Sequence, residues 1–329
     1  MTATLIAPLP PPTTRTATRP VLVHDVRRVA DDVLAVVLAA EESETLPPWE
    51  PGSHIDVHLP SGTVRQYSLC SDPADLSCYR IAILREPFGR GGSEEMHQSV
   101  SHGARLRISA PRNTFPLVDA PGYRLIAGGI GITPLLAMAR ALDARARPAR
   151  LLYIGASRSR MALADELREL TSVAVSVVAT DEIGRPDIAR FAVGAGPAAV
   201  YACGPDRLLD AVAEACRQAP PGDGLHLERF TAALPPVDDT GEGFAVELAR
   251  QHRTIQVNPG TTILAALRCG GVDVLSSCEQ GICGTCETPV LAGDIDHRDD
   301  ILTDEEKRDG RTMMVCVSRC AGRQLVLDI

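Results

Sequence analysis

The sequence predicts a multidomain protein with an antiparallel β-barrel, then a doubly wound α/β domain, then a small cysteine-bearing domain. Three observations lead to this prediction. Short β-type segments between turn residues fill the first third of the chain, apolar strands alternate with helical segments in the middle, and four cysteines lie close together near the end. The length of 329 residues allows two or three domains of ordinary size.

Proline and glycine set the domain boundaries. Residues 1–20 contain a proline run at positions 8–12 that no helix interior tolerates, which predicts a disordered or extended tail. Residues 232–242 are polar and rich in Pro and Gly, which predicts a linker. A change of pattern near residues 119–122 separates the β-rich block from the alternating one. The predicted domains are therefore residues 21–118, 119–231 and 243–329.

The first block contains closely spaced strands, predicted at residues 33–38, 54–59, 79–84 and 105–108. Turn residues separate them and amphipathic helices are scarce, which favours a small antiparallel barrel or sandwich. The Gly-rich turn ending in Gly91-Gly92-Ser93 leads into a predicted helix start. Its backbone N–H groups suit an anion, and Ser93 can cap the helix or bind that anion. An ordinary helix start explains this stretch equally well.

In the second block, predicted strands at 123–127, 150–154, 173–179 and 199–203 alternate with helices, the later ones at 162–170 and 207–218. This alternation predicts a parallel, doubly wound sheet. Thr133 as N-cap and Pro134 as first helical residue predict a helix through Leu142. Ligands bind beyond the carboxyl ends of such strands, where residues 128–133 and 203–205 belong. Because Pro134 replaces the third glycine of a dinucleotide fingerprint, a purely structural turn remains an alternative.

The cysteine spacing near the end of the chain indicates an iron-sulfur cluster. Four residues separate Cys278 from Cys283, two separate Cys283 from Cys286, and 29 lead to Cys316. This is the plant-type 2Fe-2S spacing, which indicates one-electron chemistry. Structural zinc sites usually present two close pairs of ligands, so a lone distant cysteine fits zinc poorly. Cys320 is an alternative fourth ligand, but spacing favours Cys316.

Composition excludes several function classes. A net charge of −9 and 3% aromatic residues argue against a nucleic-acid-binding protein. No apolar run is long enough to span a bilayer, and the first 20 residues lack the apolar region of a signal peptide. The remaining cysteines are scattered instead of framed as disulfide pairs, which is typical of a reducing compartment. We therefore expect a cytoplasmic protein without membrane or nucleic-acid partners, and a monomer.

The ordered set of motifs resembles the ferredoxin-reductase superfamily. It is most similar to the phthalate dioxygenase reductase and vanillate demethylase reductase group, from about residue 21 to residue 329. The resemblance implies an FMN-binding β-barrel, an NAD(P)-binding α/β domain and a C-terminal 2Fe-2S ferredoxin domain with a β-grasp-like α+β fold. FMN instead of FAD is part of what the resemblance implies.

The resemblance also implies cofactor contacts. To the flavin it assigns Arg65, Tyr67, Ser68, Ala82, Ile83, Leu84, Gly91, Gly92, Ser93 and Phe230. To the nicotinamide nucleotide it assigns Gly129, Gly131, Thr133, Ser157, Arg158, Cys203, Gly204 and Pro205. Cys203 and Thr133 would lie near the nicotinamide and the flavin, with no further catalytic residue. Relatives often have Arg where Ala156 stands, so the choice between NADH and NADPH stays open.

Electron counting gives the expected function. A reduced nicotinamide gives up two electrons as a hydride, whereas a 2Fe-2S cluster takes one, and a flavin can store the second electron. The resemblance implies that the acceptor is a terminal oxygenase, with a Rieske-type aromatic dioxygenase or demethylase favoured. A haem monooxygenase is the alternative acceptor. A flavin-free ferredoxin carrier or redox-responsive binding protein is the alternative from another class.

Overall fold

The computed structural model describes residues 18–41, 45–87, 89, 91–194, 196–218, 224–230 and 242–329. Within them lie three main sheets, and each corresponds to one of the three predicted blocks, apart from the first two residues of the first strand, Arg19 and Pro20. The predicted tail and linker lie outside the described residues, except for residues 18–20 and 242. No helix in the described part of the chain is long and apolar enough to cross a membrane.

The first sheet is antiparallel and surrounds its own apolar core. Its strands are β1 (Arg19–Ala30), β2 (Val33–Ala40), β3 (Ser53–His58), β4 (Val64–Ser68), β5 (Cys78–Leu84), β6 (Arg105–Ile108) and β7 (Arg112–Asn113), and α1 (Gly92–Ser99) follows β5. The strand order is β4-β3-β6-β1-β2-β5, with β7 on β3. Alternate residues such as Ile55, Val57 and Ile81 are fully buried and form the core, which Met96 of α1 completes.

The four predicted strands of this block are present, but β1, β4 and β7 were not predicted. Strand β1 begins at Arg19, inside the predicted tail, because Arg19 pairs with Ile108 of β6. The Arg107 guanidinium also donates a hydrogen bond to the Thr18 carbonyl at 2.7 Å. Pairing with β6 therefore places Arg19 and Pro20 in a regular strand, whereas the proline content of the tail predicts irregular structure there.

The second sheet is entirely parallel. Its strands are β8 (Tyr123–Gly128), β9 (Ala149–Gly155), β10 (Val173–Ala179), β11 (Ala199–Cys203) and β12 (Leu225–Glu228), in the order β10-β9-β8-β11-β12. Its helices are α2 (Ile132–Ala144), α3 (Thr180–Ile183), α4 (Ile188–Val193) and α5 (Asp206–Gln218). The strand order reverses between β8 and β11, which is the switch point where such sheets bind ligands. The predicted doubly wound fold is confirmed.

Two local predictions in this domain were wrong. Helix α2 begins at Ile132 with Gly131 as its N-cap residue, so Thr133 is not the N-cap. A 3₁₀ turn over Gly129–Gly131 already reverses the chain, and the Thr133 hydroxyl donates to the Ile130 carbonyl at 3.0 Å. The predicted helix at 162–170 is a 3₁₀ helix, Ala164–Glu169, that begins only after Leu163 adopts a left-handed backbone with φ 59°.

The third sheet is mixed and carries a helix across one face, as in a β-grasp fold. The elements of this domain are β13 (Phe244–Leu248), β14 (Arg253–Val257), α6 (Ile263–Cys269), β15 (Glu287–Ala292), β16 (Ile295–Asp296), α7 (Asp304–Asp309), β17 (Thr312–Met314), β18 (Arg319–Cys320) and β19 (Gln324–Leu327). The sheet has the order β14-β13-β19-β15-β17, and β16 and β18 pair separately as a two-stranded sheet. Strand β13 runs parallel to β19 and antiparallel to β14. Leu264 and Leu267 of α6 are buried in the core. The cysteine loop lies between α6 and β15.

Ion pairs join the barrel to the parallel-sheet domain. Arg80 on β5 donates two hydrogen bonds to the Glu166 carboxylate, at 3.0 and 2.8 Å. Arg140 on α2 pairs with the same carboxylate, and the Asp31 backbone N–H donates to the Ser159 carbonyl at 2.7 Å. These contacts fix the relative position of the two domains, and with it the cavity between them.

Candidate functional site

A cavity of about 630 Å³ lies where the three domains meet. Its volume falls within the range of small-molecule and cofactor sites, about 300–1,000 Å³. Strand β4 and the start of α1 form one wall, Thr133 comes from the parallel-sheet domain, and Cys278 from the cysteine loop. Of the residues predicted to bind the flavin, those that line this cavity are Arg65, Tyr67, Ser68, Ala82, Leu84, Gly92, Ser93 and Phe230.

Two of the predicted flavin residues do not line the cavity with their side chains. Ile83 points into the barrel core and is fully buried, while its carbonyl lies 2.9 Å from His97 Nε2. Gly91 is the N-cap of α1, with φ 80°, a left-handed backbone that favours glycine. Neither residue is among those that line the cavity.

The start of α1 forms a tight turn beside Arg65. Arg65 packs so closely against this turn that a Cβ on Gly92 would lie 2.4 Å from the guanidinium Nε. The Ser93 hydroxyl accepts a hydrogen bond from the Glu86 backbone N–H at 3.1 Å, so Ser93 closes the loop and does not cap the helix. A guanidinium beside the positive end of a helix dipole is suited to a phosphate group.

At the carboxyl edge of the parallel sheet, the turns after β8 and β11 pack directly on each other. A Cβ on Gly131 would lie 2.3 Å from the Cys203 carbonyl oxygen, and one on Gly204 would lie 2.9 Å from Gly128 Cα. Of the eight residues predicted to bind the nicotinamide nucleotide, Thr133 alone lines the cavity. Gly129, Gly131, Cys203, Gly204 and Pro205 lie at this sheet edge behind it.

Ser157 and Arg158 follow β9 at the same edge of the sheet. The Arg158 guanidinium Nε lies 3.2 Å from the Glu182 carboxylate of α3, which comes just after β10. Both side chains are about half exposed. The Arg158 charge, which with that of Arg160 could receive a 2′-phosphate, is therefore already paired with a carboxylate.

Glu228 is a cavity residue that the sequence analysis did not identify. It ends β12, two residues before Phe230, and its Oε2 accepts a hydrogen bond from Cys203 Sγ at 3.8 Å. Burial raises the pKa of Glu228 to about 8, and burial together with Glu228 raises the pKa of the Cys203 thiol well above its usual value. At neutral pH both groups are protonated and uncharged.

Two buried polar atoms on the cavity wall lack a partner among the described residues: His54 Nε2 and Gln66 Nε2. Burial, followed by the nearby Arg112 charge, lowers the pKa of His54 to about 4, so the imidazole is neutral. Unpaired buried polar groups are costly, and a polar planar ligand in the cavity can satisfy them. The cavity residues therefore fit a flavin ring system and its phosphate.

The four predicted cluster cysteines are buried and fall into two pairs. Side-chain hydrogen bonds join Cys278 to Cys283 and Cys286 to Cys316. The bond from Cys278 lowers the pKa of the Cys283 thiol, so one thiol of that pair becomes a thiolate more readily than an ordinary cysteine. Cys320, the alternative ligand, lies on β18 outside these pairs.

The backbone of the cysteine loop also fits a small cluster. Gly281 and Gly284 have φ values of 71° and 73°, which curl the loop in a way that side-chain-bearing residues avoid. Among the described residues, no three His, Cys, Asp or Glu side chains lie close enough together to hold a single metal ion. Two pairs of thiols instead suit two iron atoms with two thiolates each, so the donor set fits a 2Fe-2S cluster.

Comparison with known proteins identifies the family. A family model described as a 2Fe-2S iron-sulfur cluster binding domain matches residues 246–321. Phenoxybenzoate dioxygenase subunit beta of Ectopseudomonas oleovorans is 45% identical over 311 residues, which cover 93% of this chain and 96% of that protein. The solved structure of phthalate dioxygenase reductase is 36% identical, with a TM-score of 0.70, covering 95% of this chain and 98% of that chain. The chain belongs to the phthalate dioxygenase reductase family.

A second solved structure relates this reductase to a larger polypeptide. An intact type IV self-sufficient cytochrome P450 monooxygenase is 41% identical, with a TM-score of 0.86. The match covers 98% of the reductase chain but 43% of the P450 chain, so the reductase spans less than half of that protein. The family confirms the predicted fold class and the predicted flavin, pyridine nucleotide and 2Fe-2S cofactors.

Proposed function

We propose that this reductase takes electrons from NADH, passes them through FMN and a 2Fe-2S cluster, and delivers them singly to a separate terminal oxygenase. One observation carries the proposal: a single cavity is lined by Thr133 of the nucleotide-type domain, Tyr67 of the barrel and Cys278 of the cysteine loop. A hydride donor, a flavin and a cluster held by these three domains would therefore meet in one place.

The residues of the chain bind and orient, and bound flavin and cluster would supply the conversion of two-electron to one-electron chemistry. Arg65 and the start of α1 would hold the flavin phosphate, while Tyr67 and Ser68 would lie along its ring. Phe230, which is 37% exposed, would cover the ring on the side where the nicotinamide arrives. Protonated Glu228 keeps that side uncharged.

Coenzyme choice follows from the pair of Arg158 with Glu182. A 2′-phosphate approaching Arg158 would have to displace the Glu182 carboxylate and would be repelled by it. The ribose hydroxyl of NADH carries no such charge. We therefore infer a preference for NADH over NADPH.

For the acceptor, we favour a Rieske-type aromatic dioxygenase or demethylase, because the similar proteins include a dioxygenase subunit and phthalate dioxygenase reductase. A haem monooxygenase is the second candidate, since the self-sufficient cytochrome P450 chain contains a region similar to this reductase. We propose that the reductase acts as a cytoplasmic monomer, in keeping with its scattered cysteines outside the cluster loop.

The test is a spectrum followed by a mixing assay. Purified reductase should show flavin and iron-sulfur absorption, and NADH should bleach both under anaerobic conditions. Iron-sulfur bands without flavin would refute the proposal. The reduced protein is then mixed with purified Rieske-type and haem oxygenases, and substrate turnover by one class identifies the acceptor. Turnover by the haem enzyme alone would overturn the preferred assignment.

A further inference from the structure

A buried carboxylate on the barrel binds the loop that carries the cluster cysteines. Asp56 on β3 is 4% exposed. The Arg112 guanidinium donates to both its oxygens at 2.9 Å, and the Ser277 hydroxyl donates to Oδ1 at 2.7 Å. Arg112 belongs to the barrel, whereas Ser277 belongs to the third domain and directly precedes Cys278. Asp56 therefore joins two domains.

Arg112 reaches the other arm of the same loop. The nitrogen that binds Asp56 also donates to Thr285 Oγ1 at 3.2 Å. Thr285 lies between Cys283 and Cys286, and its Oγ1 accepts a hydrogen bond from Cys283 Sγ at 3.2 Å. The barrel thus holds the loop next to Cys278 and again between Cys283 and Cys286.

Asp56 already has hydrogen-bond partners within the barrel, so the barrel fold does not depend on the contacts with Ser277 and Thr285. The Asp56 backbone N–H donates to Ser109 Oγ at 2.9 Å, and Arg112 already occupies both carboxylate oxygens. A buried ion pair is often no more stable than apolar residues of similar volume, and its best-attested use is to fix one specific geometry. Here the geometry that it fixes includes Ser277 and Thr285 of another domain.

The held loop forms a wall of the flavin cavity. Cys278, Gln280 and Ile282 line the same cavity as Tyr67 and His54 of the barrel. The position of the loop therefore sets the distance between a flavin in the cavity and a cluster on the cysteines. Electron transfer between two separated redox groups slows as the distance between them grows, so a displaced loop would slow the step from flavin to cluster.

We propose that Asp56, Arg112, Ser277 and Thr285 form an interdomain clamp that positions the cysteine loop for electron transfer from flavin to cluster. The clamp rests on the proposed order of electron transfer. Its residues are positioning residues, since they act through the loop and contact neither the nicotinamide site nor the substrate of the acceptor.

Ser277→Ala is the central variant, because it removes one clamp contact and leaves the Asp56–Arg112 pair in place. Asp56→Asn keeps the shape of the side chain and removes its charge. Ser276→Ala is the matched control: Ser276 lies on the same loop, but its hydroxyl bonds to Arg268 and Glu279 within the third domain. All three are studied as full-length protein with flavin and cluster bound.

Two measurements are made on each variant. Anaerobic stopped-flow with NADH should show unchanged flavin reduction, and cluster reduction slowed severalfold in the two clamp variants. Hydrogen–deuterium exchange, which does not depend on turnover, should show faster exchange across residues 277–286 in those variants. Ser276→Ala should match the wild type in both measurements.

Unchanged cluster reduction and unchanged exchange in Ser277→Ala would overturn the clamp, whether or not Asp56→Asn folds. An equal effect of Ser276→Ala would also overturn it, since the effect would then belong to the loop in general. The double variant Asp56→Asn/Ser277→Ala should slow cluster reduction by less than the two single effects multiplied together, because both changes weaken the same contact. Failure of wild-type flavin to reduce the cluster would instead refute the proposed electron order.

Discussion

Replacing Glu228 by Gln tests whether a neutral carboxyl lies beside the flavin cavity. The side chain ends β12 and bonds to Cys203, and burial raises its pKa from 4.5 to about 8. In the unfolded chain the group ionises at its ordinary value. At a pH between these two pKa values, the folded protein holds a proton on Glu228 that the unfolded chain releases.

This difference in pKa between the folded and unfolded states fixes the direction in which stability changes with pH. For a carboxyl group with a raised pKa in the folded state, the folded protein loses stability as pH rises from 4.5 to about 8. Each pH unit costs about 1.4 kcal/mol, so the full interval costs up to about 5 kcal/mol and the cost at pH 7 is about 3 kcal/mol. Gln cannot ionise, so Glu228→Gln should become more stable relative to wild type by these amounts as pH rises.

Urea unfolding of the two flavin-loaded proteins, followed by flavin release from pH 5 to pH 9, measures the difference. The difference in unfolding free energy should grow with pH and level off above about pH 8. An infrared band of the protonated carboxyl should disappear near the same pH in wild type and be missing from the variant. A stability difference that stays constant from pH 5 to pH 9 would show that Glu228 is ionised throughout and that folding does not raise its pKa.

Three further changes test the cofactor sites. Arg65→Ala should weaken flavin retention about 10- to 100-fold, measured by equilibrium dialysis, because a charge-assisted contact to phosphate is lost; undiminished flavin content would remove Arg65 from the site. Cys283→Ser should abolish transfer to a protein acceptor while ferricyanide reduction by NADH persists, and survival of both activities would contradict the electron order. Glu182→Gln should raise kcat/KM for NADPH a few-fold by freeing Arg158, and an unchanged NADH to NADPH ratio would contradict the inferred coenzyme choice.

Elements with regular apolar periodicity were predictable from the sequence. The strands at 105–108, 173–179 and 199–203 have the observed bounds, because alternating or continuous apolar residues mark them. Strand β4 was missed because its Arg65–Ser68 side chains line the cavity and give no apolar pattern. The start of α2 was misassigned because a 3₁₀ turn, and not a side-chain cap, begins that helix.

The polar contacts that shape the site were not predictable from local sequence. Asp56 lies within an apolar strand pattern, and its partner Ser277 is 221 positions away. Burial raises the pKa of Glu228, and its hydrogen-bond partner Cys203, which lowers that pKa in part, lies 25 positions earlier. Such contacts arise only when separate elements pack together, whereas the cluster cysteines could be recognised from their spacing alone.

The contact between the turns after β8 and β11 limits how coenzyme choice can vary. Ordinary atomic contact is near 3.4 Å, so an alanine at Gly131 would force the two turns apart by roughly 1 Å. Cys203 would move with them and carry its bond to Glu228 along. Substitutions at Gly131 and Gly204 should therefore be poorly tolerated. On the proposed assignment, the exposed pair of Arg158 and Glu182 is a place where substitutions can change the choice of nucleotide without disturbing the packing of these turns.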